Sequence, residues 1–220
     1  MTAFTAQKII FDLDGTLVDS APDLYGATNH VLASVGRASV TLDQVRHMVG
    51  LGARKLIELG LEATGGMDGH SVDDLLPVFL AYYGEHIADG TDLFPGAEAL
   101  LADLRDRGFG VALCTNKPIG LTEQLLEELD IRGRFDAIAG GDSFAFRKPD
   151  GRHILETAAM VAGDGPLLMV GDSATDVNAA RDAKVPCIAV DFGYSTVPAA
   201  ELGADHLISH LGDISSLVTR

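Results

Sequence analysis

Apolar residues follow two different patterns along the chain. From residue 97 onward, stretches with helical spacing alternate with short continuous apolar runs, which predicts helices alternating with buried strands. The predicted strands are 109–114, 135–139, 166–170, 186–190 and 206–208, and the predicted helices are 97–107, 121–129, 154–161 and 176–183. Because such alternation is typical of a parallel sheet with right-handed crossovers, we predict an α/β fold with a Rossmann-like parallel sheet core.

Residues 20–90 show helical spacing and no strand-like run. The helices predicted there, at 23–35, 45–49, 53–61 and 72–87, are separated by glycine-rich turns. The run KIIF at residues 8–11 predicts a strand that precedes this segment and joins the later strands in one sheet. We therefore predict a core formed by residues 1–19 and 91–220, with residues 20–90 inserted as a separate helical lobe.

Composition narrows the class of protein. The 220 residues are 47% hydrophobic, which is ample for a substantial core. The formal net charge is −16 and no basic patch is visible, so we expect neither nucleic acid nor an anionic membrane as a partner. No apolar run approaches the ~18 residues of a membrane helix, and the N-terminus lacks the apolar stretch of a signal peptide. With only two cysteines, both in apolar runs, these features predict a cytoplasmic protein.

Two carboxylates follow the first predicted strand. Asp12 and Asp14 stand two positions apart, and Gly15 and Thr16 come directly after them. Aspartate and glycine after a strand are also ordinary turn residues, so this motif alone could be only a turn. At the carboxyl edge of a parallel sheet, however, such a pair can hold a hard cation, and it can supply a nucleophile and a separate acid and base.

Three later segments place polar residues at the ends of predicted strands. They contain Thr115 and Asn116, then Lys148 in a loop before a helix, then Asp172 and Asp176 between a strand and a helix. Taken singly, they have simpler explanations: a turn, a solvated loop and the start of a helix. In a parallel sheet these strand ends open on one edge, so the residues are expected to converge with the first two carboxylates. A cation, a nucleophile, a lysine and hydroxyl groups are what phosphoryl transfer requires.

The same segments match the motifs of a known family. Their sequences are DLDGTLVDS at 12–20, TNKP at 115–118, RKPD at 147–150 and GDSATD at 171–176. With these motifs in this order, nearly the whole chain resembles the haloacid dehalogenase superfamily of aspartate-nucleophile phosphatases. Within that superfamily it resembles the phosphoglycolate phosphatase group, whose members carry a helical cap after the first motif, where residues 20–90 fall here.

The resemblance implies a role for each matching residue. Asp12 would be the nucleophile that forms an aspartyl-phosphate, and Asp14 would protonate the leaving alcohol and then deprotonate the attacking water. Thr115 and Lys148 would hold the phosphoryl oxygens, assisted by backbone amides near Asn116. Lys148 would also offset the charge of the neighbouring carboxylates.

The resemblance also implies Mg²⁺ as the cofactor. Its ligands would be Asp12, the backbone carbonyl of Asp14, and Asp172. Asp176 would support the metal from farther away, through water.

Two features of the chain bear on the substrate. Relatives often have a second proline shortly after the lysine of the third motif, whereas Gly151 occurs here, which leaves the shape of that loop open. In the predicted cap, Gly50 and Gly52 allow a close backbone approach, and Arg54 could bind a substrate carboxylate with two hydrogen bonds. Arg54 is equally well explained as a solvated residue at the start of a surface helix.

These observations predict a Mg²⁺-dependent enzyme that hydrolyses a small phosphomonoester through an aspartyl-phosphate, with 2-phosphoglycolate as the first choice of substrate. One alternative is a sugar-phosphate phosphomutase with the same core, and another is a phosphatase for pyrophosphate, nucleotides or sugar phosphates. A phosphate-binding module without turnover is a third, against which the complete set of aspartates and lysine in the motifs argues. The expected partner is the small-molecule substrate, and the expected state is a monomer or a homodimer.

Overall fold

The structure, a computed structural model, describes residues 3–220. Its strands, in chain order, are β1 (Phe4–Thr5), β2 (Lys8–Phe11), β3 (Val18–Asp19), β4 (Asp92–Leu93), β5 (Gly110–Cys114), β6 (Ala137–Ala139), β7 (Leu167–Gly171), β8 (Cys187–Val190), β9 (His206–Ile208) and β10 (Val218–Thr219). Its helices are α1 (Ala21–Ser34), α2 (Leu42–Arg46), α3 (Ala53–Ala63), α4 (Val72–Glu85), α5 (Ala97–Asp106), α6 (Ile119–Glu128), α7 (Arg152–Ala159), α8 (Ala174–Ala183) and α9 (Ile214–Leu217). Among residues 3–220, no helix combines the length and the hydrophobicity needed to cross a membrane.

Six parallel strands of the described chain form the central sheet, in the order β6-β5-β2-β7-β8-β9. The N-terminal strand β2 lies inside this sheet, between β5 and β7, as predicted. All of its side chains are buried, because both faces of the sheet are covered. Ile9 and Phe11 point to one face and Ile10 points to the other, as strand alternation requires. This topology confirms the predicted α/β fold with a parallel sheet.

Helices cover the two faces of the sheet in different ways. On the face of Ile9 and Phe11, α5 and α6 contribute buried leucines, and the helices α1–α4 continue the same apolar cluster. On the face of Ile10, α7 and α8 pack mainly through small side chains such as Ala158 and Ala180. The sheet therefore carries one bulky layer, which extends into the helical lobe, and one layer of closely packed helices.

Residues 20–90 form the helical lobe that we propose as a cap. Helices α2, α3 and α4 each pack against α1, and α3 also packs against α4. The lobe is joined to the sheet by the antiparallel pair β3–β4, in which Val18 lies opposite Leu93 and Asp19 opposite Asp92. The chain thus leaves and re-enters the sheet domain through β3 and β4, which lie just outside the proposed lobe of residues 20–90.

Several element boundaries differ from the predicted ones. Helix α2 begins at Leu42 rather than at residue 45, because Thr41 and Gln44 cap its N-terminus reciprocally. Helix α8 begins two residues earlier than predicted, because Ser173 precedes it in an extended conformation and donates its N–H to Asp176. The pairs β1–β10 and β3–β4 do not show in the hydrophobic pattern, since strands of two residues are too short for periodicity.

Candidate active site

The loop after β2 brings the first aspartates to the carboxyl edge of the sheet. Asp12 extends the ladder of β2, because its backbone N–H donates to the carbonyl of Val170 in β7 at 2.9 Å. Gly15 adopts a left-handed conformation with a φ of 87°. A Cβ atom at this position would lie 2.5 Å from Oδ2 of Asp172, so glycine is needed for the loop to approach that carboxylate.

Three buried carboxylates lie together at this edge. Oxygen atoms of Asp12, Asp172 and Asp176 are all within 4.8 Å of one another. Asp12 follows β2, whereas Asp172 follows β7 and Asp176 is in the first turn of α8. The structure therefore brings together three residues that are far apart in the chain and that the motifs singled out.

Lys148 provides the counter-charge of this cluster. Its Nζ lies 2.8 Å from Oδ1 of Asp12 and 2.6 Å from Oδ1 of Asp176. Burial alone would lower the pKa of Lys148, but the two carboxylates raise it, so the ammonium stays charged. The backbone N–H of Lys148 donates to Nδ1 of His153 at 3.3 Å. Burial and the charge of Lys148 lower the pKa of His153 to about 4, which keeps this imidazole neutral at pH 7.

Negative charge exceeds positive charge in the cluster. Burial and Asp176 raise the pKa of Asp12 to about 7, although Lys148 opposes the shift. Burial, together with Asp176 and Asp12, raises the pKa of Asp172 well above its usual range. Three carboxylates face one ammonium, so a divalent cation with oxygen ligands would neutralise the excess. The donor set therefore fits a hard metal ion.

Hydrogen bonds set the orientation of Asp172 and Asp176, the two aspartates of the cluster that come later in the chain. Asp172 accepts the hydroxyl of Thr16 at 3.2 Å and the backbone N–H of Tyr194 at 2.7 Å. Oδ2 of Asp176 accepts both the backbone N–H and the hydroxyl of Ser173, at 3.1 and 2.6 Å. Because its Oδ1 is already engaged by the lysine, Asp176 is better placed to orient the cluster than to offer a free oxygen to a metal ion.

Thr115 and Asn116 follow β5 at the same edge. The backbone N–H of Thr115 donates to β6 at 3.0 Å, and its hydroxyl oxygen accepts the backbone N–H of Lys117 at 3.2 Å. The side-chain amide of Asn116 donates to the carbonyls of Lys148 at 3.0 Å and Gly50 at 3.2 Å. Asn116 thereby ties the loop after β5 to the lysine loop and to the helical lobe.

Asp14 has different partners from Asp12. Its carboxylate accepts the hydroxyl of Ser20 at 2.5 Å and lies 3.2 Å from Nζ of Lys117. The same Nζ donates to the hydroxyl oxygen of Tyr83, in α4, at 2.5 Å. None of these three partners is among the predicted site residues, although Ser20 and Lys117 belong to the matched motifs.

A cavity, partly open to solvent, lies between the loops at the sheet edge and the helical lobe. Asp12, Asp14 and Thr115 are among the polar residues that line it, whereas the lobe contributes mostly apolar side chains such as Leu56 and Phe79. Because the cavity is lined both by the sheet edge and by the lobe, it can receive a small molecule.

Arg54 is the one predicted site residue that the structure brings neither to this cavity nor to the cluster of aspartates around Lys148. Its Nη2 lies 2.7 Å from Oδ1 of Asp73, and both side chains are largely exposed. Ala53 and Leu56 of α3 line the cavity, and helical spacing turns the intervening Arg54 away from the face they share. In this structure Arg54 therefore matches the solvated alternative, and a substrate contact from it stays a prediction.

Close contacts with α8 explain why the lysine loop has glycine at position 151. A Cβ atom on Gly151 would lie 2.4 Å from the backbone nitrogen of Ala183 and 2.9 Å from the carbonyl oxygen of Ala179. Its backbone N–H also donates to Asp182 at 2.8 Å, a bond that a proline could not make. The lysine loop is therefore packed directly against α8, which also carries Asp176.

Known proteins with similar sequences and structures place this site in a family. The sequence profile of the haloacid dehalogenase-like hydrolase family matches residues 9–190. A protein of Agrobacterium fabrum described as a phosphoglycolate phosphatase is 45% identical over 202 residues, which cover 90% of this chain and 86% of the relative. A protein of Caulobacter vibrioides with the same description is 43% identical over 208 residues, covering 94% of this chain and 88% of the relative.

A solved structure supports the same assignment. The crystal structure of a predicted phosphoglycolate phosphatase from Haemophilus somnus superposes with a TM-score of 0.88 at 27% identity, covering 96% of this chain and 97% of that one. The family profile spans most of the chain and covers the central sheet except for β9 and the first residue of β2. The chain therefore belongs to the haloacid dehalogenase-like hydrolase family, which confirms the resemblance of its motifs.

Proposed function

We propose that this protein hydrolyses 2-phosphoglycolate, with Mg²⁺ as its cofactor. The observation that carries the proposal is a buried carboxylate, Asp12, that lines a small cavity and is paired with Lys148 inside an acidic cluster. Such a cluster supplies both the nucleophile and the cation site of a phosphomonoester hydrolase. The relatives described as phosphoglycolate phosphatases, at 43% and 45% identity, support the choice of substrate.

Asp12 is the nucleophile of the proposed reaction. One of its oxygens bonds to phosphorus while the bond from phosphorus to the ester oxygen breaks, which leaves an aspartyl-phosphate and the alcohol. Asp14 donates the proton that the departing oxygen needs. Asp14 then takes a proton from water, whose oxygen bonds to phosphorus as the bond to Asp12 breaks. Inorganic phosphate leaves and both aspartates return to their starting states.

The phosphoryl oxygens are held by groups that already have fixed positions. Lys148 lies against Asp12, so its charge is next to the phosphorus when the nucleophile attacks. The hydroxyl oxygen of Thr115 accepts the N–H of Lys117, which leaves the hydroxyl hydrogen free to point at a phosphoryl oxygen. The side chain of Asn116 fixes the distance between these two loops rather than touching the phosphate.

The metal would be held by Asp12, Asp172 and the backbone carbonyl of Asp14. When bound, it supplies charge that neutralises the phosphoryl oxygens and orients them for in-line attack. Asp176 would keep the ligand set in place through its contacts with Lys148 and Ser173.

The phosphomutase alternative is not favoured. A mutase returns the phosphoryl group of the aspartyl-phosphate to a sugar, whereas the relatives at 43% and 45% identity are described as phosphatases. The residues that line the cavity do not distinguish these two reactions, so the reaction product is the deciding observation.

Phosphate release from a panel of monoesters tests the proposal. The panel contains 2-phosphoglycolate, hexose phosphates, nucleoside monophosphates and pyrophosphate, each with Mg²⁺ and with excess chelator. We expect the highest kcat/KM on 2-phosphoglycolate and no turnover in chelator. A higher kcat/KM on another compound would overturn the substrate, and an isomerised sugar phosphate without free phosphate would overturn hydrolysis.

We also propose that the enzyme works in the cytoplasm as a monomer or a homodimer, without nucleic-acid or membrane partners. The formal charge of −16 supports the absence of polyanionic partners. The two cysteines are free and buried, as in proteins of a reducing compartment. Light scattering of the purified protein checks the oligomeric state.

A further inference from the structure

A second buried ammonium group reaches the cavity at Lys117. Among the cavity-lining residues of the described chain, Lys117 is the only one with a cationic side chain. That side chain is 4% exposed. Lys148 lies beside Asp12 and Asp176 instead and does not line the cavity. The two lysines are thus assigned to different parts of the site.

The contacts of Lys117 join the sheet domain to the helical lobe. Its Nζ lies 3.2 Å from Oδ1 of Asp14 and 2.5 Å from the hydroxyl oxygen of Tyr83. The ammonium also lies 4.4 Å from the centre of the Tyr83 ring, a cation–π distance. Tyr83 belongs to α4 and is itself buried. A ligand that reaches Lys117 therefore meets a residue of the lobe at the same time.

The surroundings of Lys117 favour binding of an anion. Leu24, Phe79 and Leu121 form apolar walls of the same cavity, so water has limited access to the ammonium. A buried ammonium is costly unless an anion is next to it, and its attraction for anions is stronger than in water. An anionic group entering the cavity can share or take over the contact that Asp14 now makes, and the charge of Lys117 stays compensated.

We propose that Lys117, together with the hydroxyl of Tyr83, binds the second anionic group of the substrate, the carboxylate of a short phosphorylated hydroxy acid. This inference rests on the proposed phosphatase function. Lys148 pairs with Asp12 and Lys117 with Asp14, only two positions further along the chain, so carboxylates of one short loop hold both ammonium groups and we expect a short ligand to reach both. Lys117 is then the specificity residue that selects carboxylate-bearing phosphomonoesters over neutral ones. It has the role that the sequence suggested for Arg54, which pairs with Asp73 outside the cavity.

The test compares two substrates that differ in one charge. The substrates are 2-phosphoglycolate and its amide, 2-phosphoglycolamide, which keeps the shape and the leaving group but lacks the carboxylate. In Lys117→Met, the ratio of kcat/KM for the acid to that for the amide should fall by about 10- to 100-fold, the range of one hydrogen bond to a charged group. Lys55→Met is the matched control, because Lys55 is partly exposed and pairs with Glu58 on the lobe, and it does not line the cavity. It should leave the ratio unchanged.

Tyr83→Phe isolates the hydroxyl while keeping the ring. The same ratio should fall by about 3- to 10-fold, as for one uncharged hydrogen-bond donor. Inhibition by glycolate, a carboxylate without phosphate, gives a readout that does not depend on the chemical step. With the amide as substrate, the inhibition constant of glycolate should be higher for Lys117→Met and for Tyr83→Phe than for the wild-type enzyme. It should be the same for Lys55→Met as for the wild-type enzyme.

The possible outcomes distinguish a failure of this inference from a failure of the proposed phosphatase function. An equal loss of kcat/KM on acid and amide would overturn the inference and show that Lys117 acts through Asp14. An unchanged ratio and unchanged glycolate inhibition in Tyr83→Phe would overturn the inference even if Lys117→Met fails to fold. A wild-type enzyme that does not prefer 2-phosphoglycolate in the monoester panel would instead overturn the proposed substrate, before any variant is made.

Discussion

Asp12 and Asp14 are chemically identical side chains two positions apart, and their neighbours make them different. Asp12 lies next to Lys148 and two further carboxylates, in the buried cluster that fits a cation. Asp14 is turned toward Ser20 and Lys117, on the side of the cavity that the helical lobe closes. This division supports the assignment of one carboxylate to the phosphorus and the other to the leaving group.

Replacing each aspartate by asparagine should therefore have different consequences. Asp12→Asn should lower kcat by about 10³-fold or more, because an amide is not a usable nucleophile. Asp14→Asn should retain some phosphoryl transfer from an aryl phosphate, since a good leaving group needs little acid assistance. Burst kinetics with an aryl phosphate measure both effects. Substantial turnover by Asp12→Asn would rule out the covalent mechanism.

The excess of negative charge around Asp12 makes the stability of the metal-free protein depend on pH. The pKa of Asp12 is about 7 in the folded protein, against an ordinary value of 3.8. A carboxyl group whose pKa is raised by folding favours the folded state when protonated, so its contribution is lost as pH rises from about 4 to about 7. A bound cation removes this penalty, because it favours the ionised carboxylates.

We therefore expect Mg²⁺ to stabilise the protein more at about pH 8 than at about pH 5.5. At about 100 times its dissociation constant, a ligand adds about 2.7 kcal/mol, which is about 5–10 °C in Tm for a chain of this size. Thermal melts with Mg²⁺ and with chelator at both pH values measure the two increments. An increment that is larger at the lower pH would contradict the charge assignment of the cluster.

At the scale of elements, close contacts between loops fix the position of the carboxylates. The loop after β8 packs against the loop after β7 without room for a side chain, since a Cβ atom on Gly193 would lie 2.2 Å from Cβ of Asp172 and 2.5 Å from its Oδ2. The adjacent Tyr194 N–H also donates to Asp172. The orientation of this carboxylate thus depends on a loop that contributes none of the proposed metal ligands.

Gly193→Ala should displace Asp172 and leave the fold intact. We expect the affinity for Mg²⁺ to fall by about 10- to 100-fold, the range seen when residues that orient a ligand are changed. Isothermal titration with Mg²⁺ measures it directly. The control is Gly120→Ala in α6, where a Cβ atom would meet nothing within 4 Å, so Mg²⁺ affinity should not change and stability should stay equal or rise by up to about 1 kcal/mol. Equal affinities in the two variants would refute this role of the loop.

Some contacts between elements can be predicted from the sequence, and others cannot. The alternation of strands and helices determines which chain segments end at one sheet edge, so the convergence of Asp12 and Asp172 follows from topology, and Lys148 reaches them from the loop between β6 and α7. The contact between Lys117 and Tyr83 does not follow, because it depends on how a separate helical lobe packs over that edge. No local pattern in α4 distinguishes a tyrosine that faces the site from one that packs in the core. For the same reason the sequence could not orient Arg54.

At the scale of the whole molecule, the lobe and the sheet domain share one apolar cluster. Leu61 in α3 and Leu125 in α6 belong to it, together with Leu17 of the loop that carries the first motif. A continuous core of this kind predicts that the lobe and the sheet domain unfold together rather than separately.

Truncation of a lobe leucine should therefore destabilise the entire chain. Leu61→Ala should lower the free energy of unfolding by about 2–5 kcal/mol, because Leu61 is fully buried. Labelling of Cys114, which is buried in β5 far from Leu61 in the chain, should accelerate in parallel with the loss of helical circular dichroism. Leu155→Ala, at an exposed position of α7, is the control and should change stability by no more than about 0.5 kcal/mol. A Leu61→Ala protein whose lobe melts while Cys114 stays protected would show two independent units.

The antiparallel pair β3–β4 has a consequence for how this molecule could be re-engineered. Because Val18 lies opposite Leu93 and Asp19 opposite Asp92, the two ends of the inserted segment are only about 5 Å apart. The two ends of the insertion are therefore held together like the ends of a hairpin, so longer insertions add little loop-closure entropy. A lobe from a relative could be transplanted between these two strands without altering the register of the sheet. The lobe, which supplies Tyr83 to the cavity, is in this sense interchangeable, whereas the sheet domain that carries Asp12, Lys117 and Lys148 is not.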